Sequence, residues 1–194
     1  MKLVEPRLLV FLGPQGSGKG TQSTLLAEKL NLPRAEAGQL CRDAAKEDTP
    51  LGRAAKKLIE HGEYFPLEIW KPIIEKQLRT VDGSKGMVFD GFLRTRDQLA
   101  AYEEFRVIYN LPKAMIIYLN LSREKAIERL TKRGRVDDTP ELIAKRLAWS
   151  SAQVKDILDH FRSLGKTIDI DSDQSIEVVQ QEIIDKLVAK GIIQ

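Results

Sequence analysis

Residues Gly13 to Gln22 read GPQGSGKGTQ, between an apolar run, Leu8-Leu9-Val10-Phe11-Leu12, and a helical pattern opening at Leu25-Leu26. That is a strand, a glycine-rich turn and a helix start, with one lysine inside the turn. The backbone N–H groups of such a loop and the positive end of its helix make an anion site, to which Lys19 adds a full charge. The spacing Gly13-x4-Gly18-Lys19 is that of a P-loop, although Gly20 intervenes before the hydroxyl of Thr21. A plain strand-to-helix turn needs neither the three further glycines nor the lysine. The stretch therefore points to phosphate binding.

A chain of 194 residues fits one domain with room for small inserted lobes. Its net charge of +3 is only mildly basic, so the distribution of charge matters more than the sum. Arg129, Lys132, Arg133 and Arg135 crowd into seven residues without an acid, which suits phosphate recognition through planar guanidinium forks. A solvated helix end is the blander alternative. No nucleic-acid partner is expected. The single cysteine, Cys41, excludes an internal disulfide and a multi-cysteine structural zinc site. His61 and His160 lack metal-ligand spacing and read as surface or helix-end residues. No stretch of about 18 apolar residues occurs and Leu8–Leu12 is too short for a signal peptide, so a cytoplasmic protein without a membrane partner is expected.

Short β-type runs alternate with helical patterns throughout. Strands are expected at Leu8–Leu12, Arg34–Ala37, Met87–Asp90, Ala114–Leu119 and Thr167–Ile170, giving an α/β fold around a parallel sheet. Ser122 caps a helix that reaches Arg133, and Thr139-Pro140-Glu141 starts another. On the latter, Ile143, Leu147, Val154, Leu158 and Phe161 form an apolar stripe. A last helix spans about 175–189. Two short helices between about 38 and 66, the second opened by Pro50 and ended by Gly62, read as a small lobe inserted after the second strand. Ligands of such sheets bind beyond the carboxyl ends of the strands. Asp90, ending Met87-Val88-Phe89, should therefore sit beside the glycine loop, where its carboxylate suits water bound to Mg²⁺.

The loop with its displaced Thr21 resembles that of nucleoside monophosphate kinases, the adenylate kinase and UMP/CMP kinase group. Asp90-Gly91-Phe92-Leu93-Arg94-Thr95 resembles the family's DGFPRT motif, and Ala37-Gly38-Gln39-Leu40-Cys41-Arg42 its TGDLLR stretch. The segment from Arg129 to Asp138, with Arg146, is similar to its lid and following helix. The resemblance covers about Leu8 to Leu187. It implies a P-loop three-layer fold with a five-stranded parallel sheet in one domain over 1–194, an NMP-binding lobe at 38–66 and a minimal lid at 129–138. It implies transfer of the terminal phosphoryl group of MgATP to AMP, giving two ADP, by a phosphotransferase acting as monomer or small homo-oligomer.

Carried over by position, Gly16, Ser17, Gly18, Lys19, Gly20 and Thr21 would hold the ATP phosphates. Arg129 would pack on the donor base, and Ser172 would lie where backbone wraps it. Arg42 and Arg94 would grip the acceptor phosphate. Gln98 would bind the acceptor base in a pocket with Ala37, Gly38, Tyr64, Phe65 and Gly91. Lys19, Arg94, Arg133, Arg135 and Arg146 would surround the group in transfer, with Arg135 and Arg146 also reaching AMP. Asp90 would hold Mg²⁺ through water.

Departures from the pattern leave alternatives open. Ala37 lacks the family's hydroxyl, as in UMP/CMP kinases, whereas Gln98 and Thr95 favour AMP. Gln39 replaces the family's aspartate and leaves more of the metal-water network to Asp90. Cys41 and Leu93 read as apolar filler. Only Gly134 separates Arg133 from Arg135, so almost no lid remains. A P-loop ATPase or GTPase would give Arg42, Arg94 and Gln98 no shared purpose. A non-catalytic adenine-nucleotide-binding module would fit the lost aspartate and short lid, but not the intact set of cations.

Overall fold

The computed structural model describes residues 1–134 and 138–194, with the backbone alone at 149–153. A five-stranded sheet, all parallel, runs in the order β2-β3-β1-β4-β5. Its strands are β1 (Leu8–Leu12), β2 (Arg34–Glu36), β3 (Met87–Asp90), β4 (Ala114–Asn120) and β5 (Thr167–Asp171). The helices between them are α1 (Lys19–Leu30), α2 (Ala37–Ala44), α3 (Pro50–Glu60), α4 (Leu67–Leu78), α5 (Arg96–Ile108), α6 (Arg123–Arg133), α7 (Pro140–Ser163) and α8 (Ile176–Ala189).

Every residue of β1 is buried, as a strand covered on both faces requires. Leu8, Val10 and Leu12 point to a core shared with Trp70 of α4, Phe105 of α5 and Ile157 of α7. Leu9 and Phe11 point the other way, to Leu26 of α1 and Ile183 of α8. Helices thus cover both faces, which gives the three layers. The stripe Ile143, Leu147, Val154, Leu158 and Phe161 is buried along α7 as its spacing requires.

Helix starts follow local chemistry. Thr49, Thr95, Ser122, Thr139 and Ser175 each accept a hydrogen bond from the backbone N–H three residues on, and proline opens α3 and α7. Three strand ends shift by a residue: β4 and β5 each run one further, to Asn120 and Asp171, and β2 stops one short. Ala37 opens α2 instead of ending β2, because Glu36 is the last residue paired with β3. At the centre of the sheet β1 lies between β3 and β4, and the chain passes from it to β2 and then β3 on one side before crossing to β4 and β5 on the other. The crevice beyond its carboxyl end is the switch point where such sheets bind ligands.

Candidate active site

The loop after β1 fills that crevice. Gly13 (φ 145°) passes so close to β4 that a Cβ there would collide with the Leu119 carbonyl. Gly16 (φ 85°) lies against Ala126 of α6, and Gly18 (φ 86°) caps α1 in the left-handed region that favours glycine. The loop curls around its own lysine: Lys19 Nζ donates to the carbonyls of Gly13 at 3.0 Å and Pro14 at 2.7 Å. Burial lowers the Lys19 ammonium to about 8; Asp90 opposes the shift, and Arg94 and Arg133 reinforce it.

Two cavities open over this loop. The larger, of about 1560 Å³, is bordered by Gly16, Gly18, Lys19, Gly20 and Thr21, and by Arg129 and Arg133 on its far wall. The smaller, of about 730 Å³, has apolar walls in Leu58, Ile59, Phe65 and Trp70, with Gln98 and Arg146 among its polar groups. Gln15, Gly38, Arg42 and Arg94 border both, so the two spaces meet at a pair of guanidinium groups.

Arg94 is placed by its neighbours in the loop after β3. Its Nε donates to the Gly91 carbonyl at 3.2 Å, and only a glycine at 91 leaves room for the guanidinium to fold back. Its backbone N–H donates to Gln98 Oε1 at 2.8 Å. Between them Leu93, fully buried, adopts φ 61°, a strained geometry for leucine that re-aims the chain toward the cavity. Tyr64 and Thr95 share a hydrogen bond of 3.1 Å across the smaller cavity's rim. Cys41 lies in the wall of that cavity, its thiol pushed up to about 12 by burial, which makes it inert.

Arg133, the last residue of α6, and Arg146 of α7 are gathered by one carboxylate. Asp138 accepts a paired contact from Arg133, with both N···O distances 2.8 Å, and a third from Arg146 at 2.9 Å. Arg146 Nε also donates to the Leu142 carbonyl within α7. Arg129 leans toward Asp173 of the β5–α8 loop at 3.8 Å. Arg135 lies outside the described residues.

Asp90 and Glu36 close the floor of the larger cavity. They are in-register partners at the ends of β3 and β2. Burial raises the Asp90 carboxyl above its ordinary range, with Lys19 as the main opposing influence. Burial acts on Glu36 in the same sense, but hydrogen bonds from Arg34 at 3.1 Å and Arg42 at 2.9 Å outweigh it and leave that carboxyl lowered. Among the described residues no three His, Cys, Asp or Glu side chains are grouped to hold a metal ion directly. Asp90 fits a hydrated ion better. It is buried, faces the cavity and makes no side-chain hydrogen bond among the described residues, its nearest cation being Arg34 at 3.9 Å.

The sequence-expected residues divide accordingly. Lys19, Arg42, Arg94, Arg129 and Arg133 border the larger cavity, and Ala37, Gly38, Arg42, Tyr64, Phe65, Gly91, Arg94, Gln98 and Arg146 the smaller. Two side chains point elsewhere. The Ser17 hydroxyl is buried without a partner among the described residues, and Ser172 Oγ donates to the Asn120 carbonyl at 2.6 Å. Sequence reasoning gave no part to Gln15, Arg34, Glu36 or Asp138. Only Asp138 left a signal, as the second of two acids close behind a basic run.

A family model described as adenylate kinase matches residues 11–166. Adenylate kinase 1 of Nostoc sp. is 36% identical over 175 residues, 90% of this chain and 95% of its own. The adenylate kinase of Bifidobacterium longum is 34% identical over 183 residues, 92% of this chain and 98% of its own. That of Nocardia farcinica is 35% identical over 161 residues, covering 83% and 89%. With cavities that meet over a glycine cradle and a match of this extent, the chain belongs to the adenylate kinase family of phosphotransferases.

Proposed function

We infer that the protein transfers the terminal phosphoryl group of MgATP to AMP, giving two ADP by direct in-line displacement. The observation that carries this is the junction of the two cavities at Arg42 and Arg94. One space has a glycine cradle and lysine for a triphosphate; the other has an apolar wall and an amide for a base. Such transfer needs alignment and charge stabilisation, with no nucleophilic side chain.

In this reading Gly16 to Thr21 cradle the donor phosphates, and Lys19, Arg94, Arg133 and Arg146 surround the migrating group, with Arg135 beside them. Arg42 and Arg94 hold the acceptor phosphate. Gln98 reads the acceptor base, with α2 and α3 as the acceptor lobe and 129–138 as a reduced lid. Arg129 packs on the donor base beside the β5–α8 loop. Asp90 would hold, through water, the Mg²⁺ that accompanies ATP, and that ion would supply charge neutralisation on the phosphates. No helix among the described residues is long and apolar enough to cross a membrane. We take the protein to work in the cytoplasm as a monomer or small homo-oligomer.

A coupled assay with MgATP and each of AMP, CMP, UMP and GMP tests the reading. ADP formation with AMP well above the other three is expected. A preference for CMP or UMP would move the acceptor assignment, and hydrolysis indifferent to every acceptor would overturn the kinase.

A further inference from the structure

Gln39, at the position where the family carries an aspartate, is exposed and borders neither cavity. Its amide donates to Asp43 Oδ1 at 2.9 Å and accepts from Arg42 at 2.9 and 3.2 Å. An acid is nonetheless present on the cavity floor, three residues earlier. Glu36 ends β2 in register with Asp90 at the end of β3, and in-register neighbours of a parallel pair project to the same side. The carboxylates converge. A point one bond off the Gly20 Cα lies 3.6 Å from Asp90 Oδ2 and 4.0 Å from Glu36 Oε2. Between them stands the Arg34 guanidinium, whose Nη2 is 3.1 Å from Glu36 and 3.9 Å from Asp90. Arg34 is itself tied to Ser23 Oγ at 2.9 Å and to the Gly20 carbonyl at 3.4 Å.

We propose that Glu36 is a positioning residue for the hydrated divalent cation that accompanies the donor phosphates, acting beside Asp90 in the role Gln39 cannot fill. One observation points to a ligand beyond the acidic pairing itself. Asp90 is buried, faces the cavity and lacks a side-chain hydrogen bond among the described residues, so its acceptor capacity is unspent. Arg34 places one guanidinium against both carboxylates, which marks the spot as one that a cation neutralises. Glu36 further holds Arg42, so its removal has a second effect, on the acceptor side.

The two effects separate by experiment. The proposal rests on the kinase reading, and its test uses binding without turnover. ATP affinity is measured by calorimetry with excess magnesium and with a chelator, for the parent and for Glu36→Gln. Without metal, one carboxylate fewer beside a triphosphate leaves affinity equal or better in the variant. With magnesium the gain in affinity falls about tenfold, as when a supporting carboxylate of a metal site is removed. Glu36→Asp, which keeps the charge but withdraws it by one methylene, falls between the two and decides the matter should Glu36→Gln not fold. A residue that only positions Arg42 would weaken AMP binding and leave the magnesium gain untouched. A gain within twofold of the parent in the folded variants overturns the proposal alone. A parent protein that binds no ATP overturns the kinase reading as well.

Discussion

Lys19 sits in a pocket that disfavours its charge until an anion arrives. With the free ammonium lowered to about 8, the lysine is charged at pH 7 and largely neutral at pH 9. A bound triphosphate raises it again, because opposite charge favours the protonated form. ATP binding should therefore take up little proton at Lys19 near pH 7 and most of one near pH 9. Calorimetry in buffers of different ionisation enthalpy measures this, and uptake independent of pH would contradict it. Arg94 is the second residue with a definite expectation. Arg94→Ala should cost 10²–10³ in turnover, about 3–4 kcal/mol, with the fold retained by circular dichroism. Arg94→Lys should recover little, since a point charge does not replace a planar fork. Lys19 and Arg94 were legible because each lies inside a dense local motif. Glu36 and Arg34 were not, because their importance comes from lying opposite Asp90 across two strands, and parallel register leaves no trace in sequence spacing.

The junction of α6 and α7 shows what an element contributes. Gly134 ends α6 in the left-handed conformation (φ 61°), and Thr139 with Pro140 starts α7. Asp138, its side chain wholly buried, holds an arginine from each helix. Asp138→Asn should loosen both guanidinium groups and lower turnover by about tenfold or more, since small misplacements of positioning groups are costly. It should also lower stability by about 3 kcal/mol, as breaking a buried ion pair does, read from the shift of the urea midpoint. Nearly unchanged kinetics would mean that Arg133 and Arg146 find their places without this anchor. Helix boundaries here were readable from caps and proline, which act locally. The inward aim of Asp138 was not, since it depends on how two helices pack. Ser172 carries the complementary lesson. Its position after the last strand was readable, but its hydroxyl is spent on Asn120, a bond set by the β4–β5 pairing.

At the scale of the molecule, alternating apolar runs and helices specified the α/β layers, and buried strands such as β1 made the core easy to place. The strand order put residues from opposite ends of the chain around one crevice, and that convergence is the part that spacing alone does not encode. Its product is a concentration of positive charge: Lys19, Arg42, Arg94, Arg129 and Arg133 border one cavity. Arg42 and Arg133 have carboxylate partners; the only side-chain hydrogen bond of Arg94 among the described residues is to the Gly91 carbonyl.

That crowding sets stability against activity. Arg94→Ala should melt above the parent when no nucleotide is present, because a repelling charge has gone, and should gain less than the parent from added ATP and AMP. Thermal scans with and without nucleotide check both directions. Selection of variants for heat resistance in plain buffer would accordingly favour enzymes that have lost the means to do their work.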